Sequence, residues 1–336
     1  MLELYLPVIW AILIAVAVAM YVILDGFDLG MAILFPFARQ ERERDQMMNS
    51  VAPFWDGNET WLVLGGGGLW VAFPQAYAVI MPAFYLPVIV MLLALIFRGV
   101  SFEFRFLSKP RHAAWDGAFF AGSVVAAFAQ GVILGGLIQG VTVVGGQFAG
   151  GPFDWATPFA LMCGLALVFG YALLGATWLI AKTEGPVAER ARRQTRLLLI
   201  VVLVFTAAVS MWTPLAFERI ARRWFSAPNI YFLWPVPLLT TGFAWVVWRG
   251  LERWHTAVPF LGVVGLFLLS FLGLAISTFP YLVPPSLTVW DTAAAPESQI
   301  FSLIGVAFLL PIILGYIVFV YWTFRAKVTA DAGGYH

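Results

Sequence analysis

Charged residues are scarce in this chain. Asp, Glu, Lys and Arg together make up 11% of its 336 residues, and apolar types make up 62%. An ordinary soluble domain is about 25% charged and about 45–50% apolar. The deficit argues against a soluble fold, and a net charge of +1 without a long basic tract argues against a nucleic-acid partner. The composition predicts an all-α integral membrane protein.

Histidine is equally rare, and this limits the cofactors that the chain can bind. Haem in a helical bundle needs axial ligands that project into the core, most often histidine. His112 lies in a predicted loop, His255 at the edge of the eighth predicted helix, and His336 is the last residue. Methionine ligation is the remaining alternative, from Met20, Met91, Met162 or Met211. We therefore predict that the chain binds no haem and no other metal.

Only one cysteine is present, and no nucleotide-binding motif is found. Cys163 lies inside an apolar run, which is typical of a small packing residue. The run from Gly65 to Gly68 is not followed by lysine, so it is not a phosphate-binding loop. It is interpreted as a site of close helix–helix approach, with an unwound, ligand-lining break as the alternative.

Uncharged runs long enough to cross a bilayer recur along the whole chain. They predict about nine transmembrane helices in a single domain, 1–336. The runs are 5–24 with an apolar continuation to 38, 61–97 (two helices separated by prolines), 117–153, 155–181, 197–217, 230–248, 256–281 and 300–324.

The distribution of basic residues predicts the orientation. Of the 19 Lys and Arg residues, 16 fall in the C-terminus and in the loops after the first, third, fifth and seventh predicted helices. Basic residues are retained on the cytoplasmic side. The N-terminus is therefore predicted outside and the C-terminus in the cytoplasm, with Arg219, Arg222 and Arg223 as the exception.

Acidic residues at membrane depth are the main functional candidates, because they are costly to insert. Asp25 and Asp28 share one helix face, and Asp56 and Glu59 repeat this spacing where the second helix begins. Both pairs fall on the predicted cytoplasmic side, where carboxylates can pass protons inward. The structural alternative is that Asp25 is solvated at the interface and that Asp56 caps the second helix.

Two further features are aromatic or proline-rich. Trp61 lies just inside the second helix, where it could line an apolar path for a gas. The external segment 279–299 is long, proline-rich and almost uncharged. We interpret it as a rigid cap packed against protein, with contact to a substrate as the alternative.

Four motifs in order resemble subunit II of the cytochrome bd oxidases, including the cyanide-insensitive oxidases. They are Asp-Gly-Phe-Asp-Leu-Gly at 25–30, Pro-Phe-Trp-Asp-Gly-Asn-Glu-Thr-Trp at 53–61, Phe-Arg-Gly-Val-Ser-Phe-Glu-Phe-Arg at 97–105 and the segment 279–299. The resemblance extends through most of the chain.

The resemblance implies a haem-free subunit of a quinol oxidase in the bacterial inner membrane. Subunit I would carry two b haems, haem d and the quinol site, and this chain would fold as two four-helix bundles plus one helix. The positions of Asp25 and Asp56 match a proposed proton path, and Trp61 matches a tryptophan of an oxygen channel in some members. Some members bind a structural quinone in this subunit, and a small single-helix accessory subunit is a further potential partner.

Two other functions remain open from the residues alone. A secondary transporter with a mid-membrane carboxylate site would act without a partner chain. A purely structural subunit would tolerate replacement of Asp25 and Asp56.

Overall fold

Helices form almost all of the computed structural model, which describes residues 2–108 and 112–329. The helices are α1 (Leu2–Leu34), α2 (Glu41–Asn49), α3 (Trp55–Ala72), α4 (Pro74–Ala83), α5 (Tyr85–Leu107), α6 (Ala113–Gln139), α7 (Pro158–Lys182), α8 (Pro186–Ala216), α9 (Glu218–Phe225), α10 (Asn229–Leu233), α11 (Pro235–Glu252), α12 (Val258–Thr278) and α13 (Pro296–Thr323). Two short antiparallel hairpins complete it, β1 (Val143–Val144) with β2 (Gln147–Phe148) and β3 (Tyr281–Val283) with β4 (Leu287–Thr288).

In the described part of the chain, eight helices are long and apolar enough to cross a membrane. They are α1, α5, α6, α7, α8, α10 together with α11, α12 and α13. The all-α membrane fold is therefore confirmed. α3 is shorter and less apolar, but its 18 residues still extend over about 27 Å. The count of nine spans, which needs α3 as a crossing, stays a prediction.

The helices pack as two groups that meet where α7 contacts both α1 and α6. The first group contains α1, α3, α5 and α6, and the second contains α7, α8, α11 and α12, while α13 packs on α1 and α3. The two groups approach closely where Gly30 of α1 faces Gly175 and the Tyr171 carbonyl of α7. A side chain at either glycine would overlap the other helix's backbone, so this crossing depends on glycine.

Different contacts close the two ends of the bundle. At one, which we call the basic end, Gln46 of α2 donates hydrogen bonds to the Glu184 and Val328 carbonyls, and Lys182 donates to the carbonyls of Phe324 and Ala326. At the opposite end, the segment 279–295 closes over the helix ends. Its backbone bonds to that of Val141 and Ala72, in agreement with the predicted rigid cap.

Two predicted helix ends are wrong. α5 continues to Leu107 instead of ending at Phe97, and α8 begins at Pro186 instead of Leu197. Arg98 and Arg105, which the sequence analysis counted as loop residues, are thus helical and buried. Charge did not end α5 because Arg98 and Arg105 have carboxylate partners inside the fold.

The glycine run in α3 is a continuous helix and not a break. A Cβ at Gly65 would lie 3.2 Å from Val18, and one at Gly68 would lie 3.1 Å from Ile14. This confirms the interpretation of close helix–helix approach and contradicts the alternative of an unwound, ligand-lining segment.

Candidate functional site

One buried guanidinium gathers three carboxylates from two other helices. Arg98 of α5 is 1% exposed. Its Nη2 lies 2.7 Å from Asp25 Oδ1 and 3.8 Å from Asp28 Oδ2, and its Nη1 lies 3.0 Å from Glu59 Oε2. We call these four residues the Arg98 cluster.

Helix spacing and small residues position this cluster. Asp25 and Asp28 are three residues apart on α1, so both reach the same neighbouring helix. Gly122 of α6 lets α5 approach closely, since a Cβ there would lie 2.7 Å from the Ala94 carbonyl and 3.2 Å from the Arg98 nitrogen. The Trp55 ring packs over the Arg98 guanidinium, with 5.6 Å between the guanidinium and the ring centroid.

The cluster contains more acid than base. Three carboxylates face one guanidinium, and both aspartates are almost fully buried, while the Glu59 side chain is 30% exposed. Buried charges in excess of their partners are costly. Three buried atoms, Asp25 Oδ2, Asp28 Oδ1 and Arg98 Nε, also have no hydrogen-bond partner among the described residues. An additional proton bound at this site would reduce its uncompensated negative charge.

A second set of polar groups extends from Asp28 to α13. The amide nitrogen of Asn58 donates to Asp28 Oδ2 at 2.7 Å, and the Tyr321 hydroxyl donates to Asn58 Oδ1 at 2.9 Å. Sequence analysis assigned no role to either residue. Asn58 lies inside the motif 53–61, between Asp56 and Glu59, and this position in the sequence could have identified it as a site residue.

Asp56 is separate from the cluster. It lies exposed in the first turn of α3, three residues before Glu59 on the same helix. The alternative in which Asp56 caps this helix is wrong, because Phe54 occupies the N-cap position. The alternative of interfacial solvation for Asp25 is also wrong, because Asp25 is 0% exposed.

Trp61 lies one helix turn beyond Asn58 and is buried against Ala17 and Tyr21 of α1. Its ring lines a small apolar cavity of about 20 Å³ between α1, α3 and α13. Other lining residues include Ile14, Gly68 and Leu310. The cavity is large enough for only one small molecule such as water.

Imidazoles lie at the helix ends in the part of the chain that the structure describes. His112 is the N-cap of α6 near Asp116, and the His255 carbonyl accepts a hydrogen bond from Arg192. His336 is outside the described residues. Within residues 2–108 and 112–329 no group of three or more His, Cys, Asp or Glu is arranged to hold a metal ion. A bis-imidazole haem site does not fit these positions.

A second buried arginine fixes the basic end. The Arg105 side chain is fully buried and pairs with Asp45 of α2 and Asp116 of α6, and Arg44 also pairs with Asp116. Each bond connects two elements. This network holds α2, α5 and α6 together at the basic end.

Comparison with known proteins identifies relatives over nearly the whole chain. The family profile described as cytochrome bd terminal oxidase subunit II matches residues 6–324. Subunit 2 of cytochrome bd-I ubiquinol oxidase from Escherichia coli K12 is 31% identical, with 96% of this chain and 95% of that protein aligned. Cytochrome bd ubiquinol oxidase subunit 2 from Bacillus subtilis is 29% identical, with 96% of each chain aligned.

A solved structure has the same fold. A chain of bd oxidase from Geobacillus thermodenitrificans superimposes with a TM-score of 0.73 at 18% identity, over 95% of this chain and 98% of that chain. At this identity the likeness supports the fold alone.

Proposed function

This chain belongs to the cytochrome bd terminal oxidase subunit II family, and we propose on that premise that its Arg98 cluster handles protons for oxygen reduction. The chain is a subunit of a bd-type quinol oxidase and a multi-pass protein of the bacterial inner membrane. Membership also implies a complex with a subunit 1 partner.

The observation that carries the proposal is the buried excess of acid. With Asp25, Asp28 and Glu59 all ionised, the Arg98 cluster would carry two uncompensated negative charges in a low-dielectric bundle. Binding a proton removes part of that cost. Partly exposed Glu59 is the natural entry group, and Asp25 and Asp28 are the inner ones.

Asp56 extends this route toward the aqueous phase. It is exposed, and it is close enough to Glu59 for their charges to repel. A proton taken up at Asp56 would pass to Glu59 and then to the aspartates paired with Arg98. We propose that the basic end faces the cytoplasm, so that the protons come from that side.

Trp61 belongs to a separate part of the proposal. The apolar cavity that it lines suits a nonpolar gas better than a proton. We propose this cavity as a segment of an oxygen path. The haems and the quinol site are proposed to lie in subunit I, so that this chain, acting as one transmembrane domain, performs no redox step alone.

The test uses the complete oxidase with subunit I. Oxygen consumption and proton uptake from the cytoplasmic side are measured for Asp25→Asn and for Glu59→Gln. Each variant removes one of the ion pairs of Arg98, so the two together test a buried partner, Asp25, and a partly exposed one, Glu59. We expect both rates to fall about tenfold or more while the haem spectrum stays unchanged.

Asp154→Asn is the matched control, because Asp154 closes only a local exposed turn with the Gly151 nitrogen. Wild-type rates of oxygen consumption and proton uptake in both cluster variants would contradict the proposal. The transporter alternative predicts solute movement by this chain alone, and the related proteins, all named as oxidase subunits, do not support it.

A further inference from the structure

Three polar side chains at membrane depth are used neither by the Arg98 cluster nor by the proposed oxygen path. They are Tyr21 of α1, Gln130 of α6 and Tyr171 of α7. The Tyr171 hydroxyl donates to Gln130 Oε1 at 2.8 Å, and Gln130 Nε2 donates to the Tyr21 oxygen at 2.7 Å. Polar side chains at this depth are costly to bury, so these three residues are candidates for a functional role.

The row ends at the Arg98 cluster. Tyr21 lies one turn before Asp25 on the same face of α1, and the two side chains are neighbours. Arg98 satisfies Asp25 Oδ1, whereas Asp25 Oδ2 is buried without a hydrogen-bond partner among the described residues. The Tyr21 hydroxyl is a donor beside this carboxylate, one helix turn away on α1.

The hydrogen bonds in this row all run in one direction. Gln130 donates to the Tyr21 oxygen and occupies one of its lone pairs, so the Tyr21 proton is free to point toward Asp25. Tyr171 in turn binds the carbonyl oxygen of Gln130 and thereby fixes which end of the amide faces Tyr21. Aligned donors polarise one another and favour negative charge at the end of the row.

The row does not continue beyond Tyr171. No residue in 2–108 or 112–329 donates to the Tyr171 hydroxyl. The buried Tyr171 ring packs against Gly26 and stacks on Phe267, with 6.1 Å between the centroids of the Tyr171 and Phe267 rings. A row closed at this end is unsuited to carry protons through the subunit. Its geometry suits a fixed donor aimed at Asp25.

We propose that Tyr21, Gln130 and Tyr171 form a positioning relay that stabilises the ionised form of Asp25. This inference rests on the proposed proton-handling function and deepens it. Other charged or titratable groups also face Asp25 and affect its ionisation. These groups are Arg98 from α5, Glu59 from α3, Asp28 from α1 and Tyr321 from α13.

The relay makes Asp25 release its proton more readily than the crowded acids alone would allow. Without it, the ionised form of Asp25 would lose one stabilising hydrogen bond, while burial would still disfavour the charged carboxylate. The consequence is a shifted pH profile, and a purely structural role does not predict such a shift.

The experiment compares Tyr21→Phe and Tyr171→Phe with wild type in the complete oxidase. Each substitution removes one hydroxyl and keeps the ring. Oxygen consumption is measured against pH, and the carbonyl stretch of protonated Asp25 is followed by infrared difference spectroscopy, with Asp25→Asn assigning the band. We expect the alkaline limb of the pH profile of oxygen consumption to move to higher pH, by about one pH unit in Tyr21→Phe and by less in Tyr171→Phe. The carbonyl band of protonated Asp25 should persist to higher pH by the same amounts.

Thr177→Val is the matched control. Thr177 is also buried in α7, but its hydroxyl bonds only to carbonyls of its own helix, those of Leu173 and Leu174. Its profile and infrared band should superimpose on wild type.

Two results overturn the relay. In one, both tyrosine variants behave as wild type while Asp25→Asn slows turnover, so that the proton-handling function stands without the relay. In the other, Thr177→Val shifts the profile as much as they do, and packing explains the shift. If Asp25→Asn and Glu59→Gln also leave turnover unchanged, the proton-handling function fails together with the relay.

Discussion

Arg98 and Asp25 form an almost completely buried ion pair that joins α5 to α1, with Nη2 and Oδ1 2.7 Å apart. The two residues are separated by 73 positions in the sequence. A buried pair is not by itself strong evidence of stability, but removing one partner leaves an uncompensated charge that costs about 3–5 kcal/mol. The pair therefore ties assembly of the first helix group to the proposed proton site.

Arg98→Leu should prevent this group from assembling stably. The substitution leaves three acids without their shared partner, and we expect lower accumulation in the membrane and a lower Tm of the purified oxidase. Arg222→Leu is the control, because Arg222 is 77% exposed and pairs only with Glu218. An Arg98→Leu oxidase as stable as wild type would show that the acids are neutral without the arginine.

Gly30→Ala should separate the two helix groups. A Cβ at Gly30 would overlap the Tyr171 carbonyl of α7, and backbone cannot move aside as a flexible side chain does. We expect a loss of about 3 kcal/mol or more, measured as the denaturant midpoint of the oxidase. Gly117→Ala is the control, since a Cβ there meets nothing within 4 Å. Equal midpoints for the two variants would contradict the close crossing of α1 and α7.

Lys182→Met should release the residues after α13. The Lys182 ammonium binds the Phe324 and Ala326 carbonyls, and a cation at a helix C-terminus interacts favourably with the helix dipole. We expect faster proteolysis near residue 325, measured by mass spectrometry of the fragments. Lys327→Met should have a smaller effect, because its ion pair with Glu184 is 3.7 Å long and exposed. Similar cleavage in both variants would argue against the role of Lys182.

Acidification should loosen α2 through Glu43. Burial raises the pKa of Glu43, but hydrogen bonds from the Arg39 backbone and the Arg190 guanidinium outweigh this effect, so its pKa lies below the ordinary value. The pKa of Glu43 in the unfolded chain is about 4.3. Because its pKa in the folded state is lower, the ionised Glu43 stabilises the fold above the unfolded-state pKa, and this stabilisation is lost as pH falls through the folded-state pKa.

The Glu43→Gln variant is expected to have a lower Tm than wild type at neutral pH and a flatter loss of Tm on acidification. Glu41→Gln is the comparison on the same helix, because the Glu41 side chain is 51% exposed. If the acid dependence of Glu43→Gln matches that of wild type, another group is responsible.

Part of the site could be predicted from sequence and part could not. Asp25, Asp28 and Glu59 were identified because carboxylates in apolar runs are conspicuous. Arg98 was missed because a basic residue after an apolar run is usually a loop residue at the membrane surface. Only its three partners, contributed by other helices, make burial of this charge affordable.

Tyr21, Gln130 and Tyr171 carry no comparable signal. Each is flanked on both sides by apolar or small residues in its helix, and such residues often face an interface or solvent. Their hydrogen bonds connect positions 109 and 41 residues apart in the sequence. No local pattern predicts which of them meet.

The sequence alone determined that this chain resides in a membrane, that it is helical and which acids interrupt or border its apolar runs. These properties depend on composition and on local runs, since each helix must satisfy its own backbone in lipid. The tertiary structure decided which polar groups meet, because helix packing brings together residues that are distant along the chain. The excess of acid around Arg98, the exposure of Asp56 and the hydrogen-bonded row of Tyr171, Gln130 and Tyr21 all follow from that packing.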